Sequence, residues 1–150
     1  MKLSDTKILQ HIRHNARINL TTLSRKTGIP VSTIFDRIRT QEQTLITRFT
    51  ALVDFAKLGY PVRANIFLKV EQQHRDGVRN FLLAHRSVNN LFRINNGYDF
   101  AAECVFTSIR DIEEFIEQVE GQFHVLDRHV YHIIDDLARE KVMSSYIDDD

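Results

Sequence analysis

The stretch Asn19–Gln43, NLTTLSRKTGIPVSTIFDRIRTQEQ, decides how the chain is read. Asn19 is a good N-cap, since its side-chain oxygen can accept an otherwise free amide of the first turn. Leu20 and Leu23 then recur at helical spacing, and Gly28 is a natural stop because glycine enters the left-handed region without strain. Ile29-Pro30 makes the turn. A proline at a helix start gives up an amide that has no partner there anyway. A further helix is predicted from about Val31 to Gln43. With Ile34 at the centre of its buried face, Val31, Ile38 and Gln41 fall within about 60° of it. The opposite face then shows Ser32, Asp36, Arg39 and Gln43, flanked by Thr33, Thr40 and Phe35. Leu23, Gly28, Val31, Ile34 and Ile38 together have the spacing of a helix-turn-helix.

Upstream, Ser4 is expected to cap a first helix whose apolar stripe is Leu3, Ile8, Leu9 and Ile12, and Asn15 ends it. Downstream, residues 46–54 (ITRFTALVD) read as a strand or wing, and Gly59-Tyr60-Pro61 punctuates the chain. The period then changes. Val62, Ala64, Ile66, Leu68 and Val70 alternate with Arg63, Asn65, Phe67 and Lys69, as in a half-buried strand. Val78, Phe81 and Leu82 return to helical spacing. Val88–Ile94 and Tyr98–Phe106 are strand-like about Asn95-Asn96-Gly97. Ser108 caps a helix bearing Ile109, Ile112, Phe115, Ile116 and Val119, and Val125–Ile134 is a last strand.

The order β-α-β-β-α-β is the split ferredoxin-like motif. The expected fold class is α+β: an N-terminal winged helix-turn-helix followed by a ferredoxin-like domain. The expected boundaries are 1–46 for the helix-turn-helix, 47–60 for wing and linker strand, 61–136 for the ferredoxin-like domain and 137–150 for a C-terminal tail. That tail, ending Asp148-Asp149-Asp150, is expected to fray.

Composition narrows the function. At 43% hydrophobic residues the chain can fill a core, and no apolar run reaches the roughly 20 residues that span a bilayer. MKLSDTKILQ has no apolar secretory stretch, so a cytoplasmic protein is expected. Cys104 is the only cysteine, which excludes an internal disulfide or a cysteine zinc cluster. The net charge of zero conceals a division. Residues 1–50 carry nine Lys/Arg against three Asp/Glu, a balance of +6, and the remaining 11 basic and 17 acidic residues give −6. A basic head on an acidic body suggests that only the head meets a polyanion.

The helix from Val31 is thus expected to enter a major groove of double-stranded DNA by its N-terminal half. Val31, Ser32, Thr33, Phe35, Asp36, Arg37, Arg39 and Gln43 are its candidate contacts. Arg39 can read guanine or grip a phosphate, and Asp36 either pairs with Arg39 or accepts from a cytosine amino group. Arg25, Lys26 and Arg48, on the second helix and wing, are candidate phosphate contacts.

These residues resemble the Lrp/AsnC family of bacterial and archaeal regulators over nearly the whole chain. Asp5 to Leu9, Asn15-Ala16-Arg17 and Leu20 to Leu23 resemble its opening helices. Gly28-Ile29, Ser32-Thr33-Ile34 and Arg37-Ile38 resemble its turn and recognition helix. Leu45-Ile46, Phe49-Thr50-Ala51, Asp54 and Leu58-Gly59 resemble its wing and linker, and Tyr98-Asp99 its glycine-x-tyrosine-aspartate loop. The resemblance implies dimers that assemble further into tetramers or octamers. It also implies an amino-acid effector near Asn95, Asn96, Gly97, Tyr98 and Asp99. That loop suits an anion, because Asn96 and Gly97 tolerate left-handed backbone that turns amides toward a carboxylate, and Asp99 is in a position to meet an ammonium group. The other reading is a plain hairpin turn capped by Asp99. The chain departs from the family at Gln41 (usually leucine), Thr44 (glycine), Pro30 (a capping serine), Asn96 (glycine) and His124-Val125 (glycine-valine).

Two other readings stay open. One is an architectural protein that coats DNA without an effector. The other is an enzyme like the sirohaem decarboxylases of the same architecture. For the latter, His129, Tyr131 and His132 are the only comparable cluster, and strand alternation sends His132 to the opposite face from the other two. The same alternation argues against a metal site with His124. No enzyme activity, cofactor or metal is expected. A dimer at minimum is expected, since an open four-stranded sheet has a second face that needs cover.

Overall fold

The computed structural model describes residues 3–144. Two compact units divide the chain: residues up to Leu52 together with those from Leu137, and Val53–Asp136. The expected fraying at Asp148-Asp149-Asp150 lies outside the described residues.

The first unit is built on α1 (Leu3–His14), α2 (Leu20–Thr27) and α3 (Val31–Thr44). Asn19 Oδ1 accepts from Thr22 N at 2.7 Å, and Gly28 closes α2 at φ 71° with its amide donating to Ser24 O. Ile8, Ile12, Leu23 and Ile34 form the core, with Ile18, Leu20, Ile29 and Ile38 around it. Ser24 Oγ donates to Ile29 O at 2.6 Å and Thr27 Oγ1 to Leu23 O at 2.7 Å, which ties down the turn before α3.

Four expectations fail here. Ser4 lies inside α1 rather than capping it. Leu3 and Val31, assigned to buried faces, are exposed. The physical reason is shared: helical Cα–Cβ bonds tilt toward the N-terminus, so a side chain in the first turn overhangs the end of its helix. Ile109, which opens a later helix, is exposed in the same way. Lastly, residues 46–54 form no strand. Their apolar side chains at Phe49, Leu52 and Val53 stay exposed, and among the described residues no strand lies beside the segment to complete a hydrogen-bonded ladder.

In the second unit β1 (Val62–Val70), α4 (Arg75–Ala84), β2 (Val88–Arg93), β3 (Phe100–Phe106), α5 (Ile109–Gln122) and β4 (Val125–His132) run in the expected order, with a 3-10 turn at Gln72–His74. The sheet order is β2-β3-β1-β4 and every neighbouring pair is antiparallel, a ferredoxin-like arrangement. Ile66 lies between Ala102 and Val130, and Leu68 between Phe100 and Arg128. Alternation from this register puts Ala64, Ile66, Leu68, Phe100, Ala102 and Cys104 on one face. They form one core with Val78 and Leu82 of α4 and Ile112, Phe115, Ile116 and Val119 of α5. Ser108 Oγ accepts from Asp111 N at 3.3 Å, the expected cap of α5. Burial pushes the Cys104 thiol up to about 12, so the lone cysteine is a protonated core group.

Candidate functional site

The face of α3 opposite Ile34 is open. Ser32, Phe35, Asp36, Arg39 and Gln43 are exposed, and Thr33 is half-buried. Arg25 and Lys26 at the end of α2, and Arg48 after α3, are exposed too. Among the described residues none of Arg25, Lys26, Arg39 and Arg48 makes an ion pair. Of the two partners open to Asp36, Arg39 is not taken up among the described residues. Thr40 Oγ1 donates to Asp36 O and Thr44 Oγ1 to Thr40 O, both at 2.9 Å, so these hydroxyls are spent on their own helix.

Arg37, expected on the DNA face, is corrected by its surroundings. It is half-buried and donates to Asp5 of α1, which holds α3 against α1. Gln41 is as buried as its position demands, at 6% exposed. Its Nε2 reaches Asp5 O at 3.4 Å, while Oε1 is buried without a partner. The helix nonetheless continues through Thr44, one residue past the expected end.

At the other candidate site, the loop between β2 and β3 turns through left-handed backbone at Asn96 (φ 64°) and Gly97 (φ 94°). Asn95, Asn96 and Gly97 line a hollow of about 550 Å³ together with Arg75, Tyr98 and Asp99. Asp99 does not await an ammonium group. Its Oδ2 accepts from Val70 N at 2.9 Å, its Oδ1 lies 2.7 Å from Arg75 Nε, and its backbone bonds Leu68 O and Ile94 N. It is the clasp that joins the loop to the end of β1. Tyr98 donates to Asp127 Oδ2 at 2.8 Å; this hydrogen bond holds the Asp127 carboxyl below its usual range and raises the Tyr98 phenol. Sequence reading missed Arg75, whose partner stands far along the chain and leaves no local pattern.

The remaining face of the sheet carries Phe67, Tyr131, His129 and Phe92. Phe67 packs edge-on against Tyr98 at 6.3 Å and Tyr131 at 5.7 Å, and His129 stacks on Tyr131 at 5.9 Å. Phe92 and Tyr131 are more than half exposed. His132 pairs in register with Ala64 and so lies on the helix-covered face, apart from His129.

Comparison with known proteins agrees with this layout. Residues 1–40 match a family model described as winged helix-turn-helix DNA-binding. The chain is 28% identical over 116 residues to the HTH-type transcriptional regulator FL11 of Pyrococcus furiosus, covering 77% of each chain. LrpC of B. subtilis superposes with a TM-score of 0.83 at 19% identity, over 92% of this chain and 97% of that one. The chain has the fold of the Lrp/AsnC regulators, and its head matches a winged helix-turn-helix DNA-binding model. The transcriptional regulator NMB0573 of Neisseria meningitidis, solved as its L-Met complex, has the same fold with a TM-score of 0.85 at 18% identity, over 93% of both chains. These relatives and structural neighbours are transcriptional regulators and not enzymes, which speaks against the sirohaem-decarboxylase reading. None of its described helices is long and apolar enough to cross a membrane.

Proposed function

We propose that this regulator reads DNA by sequence, with α3 in the major groove. The observation that carries the reading is the open polar face of α3 within residues 1–50, whose charge balance is +6. Ser32, Thr33 and Arg39 approach base edges, with Phe35 beside them for a thymine methyl group. Val31 and Gln43 flank them, Asp36 meets a cytosine amino group, and Arg25, Lys26 and Arg48 hold phosphates. Selection of bound fragments from genomic DNA tests this: a recurring palindrome is expected, and fragments without common sequence refute it in favour of an architectural role. On the selected site, Arg39→Ala weakens binding by about 1–3 kcal/mol. Equal loss on random DNA shows instead that Arg39 touches only phosphate.

The chain assembles at least as a dimer through the open sheet face that carries Phe67, Phe92 and Tyr131, because exposed aromatic surface on a sheet gains most by being covered. Light scattering that finds a monomer at micromolar concentration refutes this. A small effector binds in the hollow beside Asn95, Asn96 and Gly97, where left-handed backbone turns amides outward. The L-Met complex of the Neisseria regulator supports an effector of amino-acid size.

A further inference from the structure

The second unit belongs to the acidic part of the chain, yet it gathers three arginines round one groove. Arg75, Arg79 and Leu83 follow at four-residue spacing along one face of α4, and Leu91 and Arg93 share one face of β2, an edge strand. Together they line a groove of about 520 Å³ that meets the loop hollow at Arg75, Arg93 and Asp99. Arg75 is engaged by Asp99. Arg79 and Arg93 are exposed, and among the described residues neither has an ion-pair partner. The one further acidic lining residue is Asp76, in the first turn of α4.

Guanidinium groups round one groove repel each other, and here three cations face two carboxylates, Asp99 paired with Arg75 and Asp76 at the start of α4. The rest of the compensation is left to a ligand. A planar guanidinium takes a carboxylate by two parallel hydrogen bonds, which favours carboxylates over a single diffuse charge. Leu83 and Leu91 give the groove an apolar wall suited to connecting methylenes.

We propose that the effector of this regulator carries two carboxylates on a short carbon chain, one for Arg79 and one for Arg93. The proposal rests on the effector reading above, extends the site from the loop hollow into the groove that adjoins it, and specifies the ligand's chemistry. The ligand is either a plain dicarboxylate or an acidic amino acid, whose ammonium group then meets Asp76.

Titration calorimetry on the full chain with L-glutamate, glutarate and L-leucine separates the cases. Glutamate or glutarate is expected to bind and leucine not. Arg79→Ala and Arg93→Ala, both at exposed positions, each weaken that binding about tenfold or more, the loss of one charged hydrogen-bonded contact. Asp76→Asn weakens glutamate and spares glutarate if the amino acid is the ligand. If glutarate is the ligand, it binds at least as well as glutamate and Asp76→Asn lowers neither. Leucine binding as tightly as the acids overturns the proposal and leaves the effector reading standing. No heat from any of the three overturns the proposal, and a silent wider panel of amino acids then removes the effector reading too. Acid binding unchanged in both arginine variants overturns it, as does a loss of DNA affinity in those variants with no acid heat, which assigns the groove to DNA.

Discussion

Gln41 offers the sharpest test of how the first unit is held together. It sits on the buried face of α3, 6% exposed, where the Lrp/AsnC pattern expects leucine. Its Nε2 makes one long hydrogen bond of 3.4 Å to Asp5 O, and Oε1 is buried with nothing to accept from. Burying an unpaired polar atom costs about 1–3 kcal/mol, whereas a long neutral hydrogen bond returns the low end of about 0.5–1.5 kcal/mol. Leucine removes both and adds apolar contact at a similar volume. Gln41→Leu is therefore expected to stabilise the first unit by about 1–2 kcal/mol, net of the lost bond. In a unit of this size that raises the melting temperature by about 4 °C or more. Because the protein has two units and no tryptophan, a global melt mixes their signals. Hydrogen exchange of the α3 amides around Ile34 and Ile38 reads the right unit, and the expected result is about five-fold or greater slowing where exchange follows unfolding. Faster exchange, or none of the change, refutes the reasoning: it means that Oε1 has a partner in solution or that the 3.4 Å bond is worth more than its length implies. Gln41→Glu, which buries a charge at the same place, is expected to speed exchange.

Two further outcomes follow from the same geometry. A double-mutant cycle with Arg37→Met and Asp5→Asn should give a coupling energy above the about 0.2–1 kcal/mol of exposed pairs, since both groups are largely shielded; additivity in chemical denaturation counts against the pair as the α1–α3 clasp. Tyr98→Phe should raise the Asp127 pKa toward its ordinary 3.8, followed by carboxyl NMR. The folded-state pKa of Asp127 is depressed, so its contribution to stability is present above that ordinary value and fades as pH falls below it; an unmoved titration means Tyr98 is not the cause.

The order of the elements was legible from particular residues. Asn19 and Gly28 bracket α2, Ser108 caps α5, and the alternation from Val62 to Val70 marks a strand with one covered face. Each signal is local: a cap, a stop or a period is satisfied within a few residues, so the sequence carries it whole. The candidate DNA face was legible for the same reason, because a helix's exposed side is set by its own repeat. Where reading failed, the deciding partner was distant or missing. Val31 and Ile109 have the right period but overhang their helix ends, and residues 46–54 have strand-like composition with no strand to pair with.

What the sequence determined by itself was therefore periodicity, punctuation and charge: two kinds of unit in order, a basic head and the outward side of α3. Only the tertiary structure decided how charged side chains were spent. Asp5 takes Arg37 away from the open face of α3, Asp99 closes on Arg75 and Val70, and Arg79 and Arg93 are brought to one groove. Electrostatic partners are chosen by distance in space, and separation along the chain does not encode that distance.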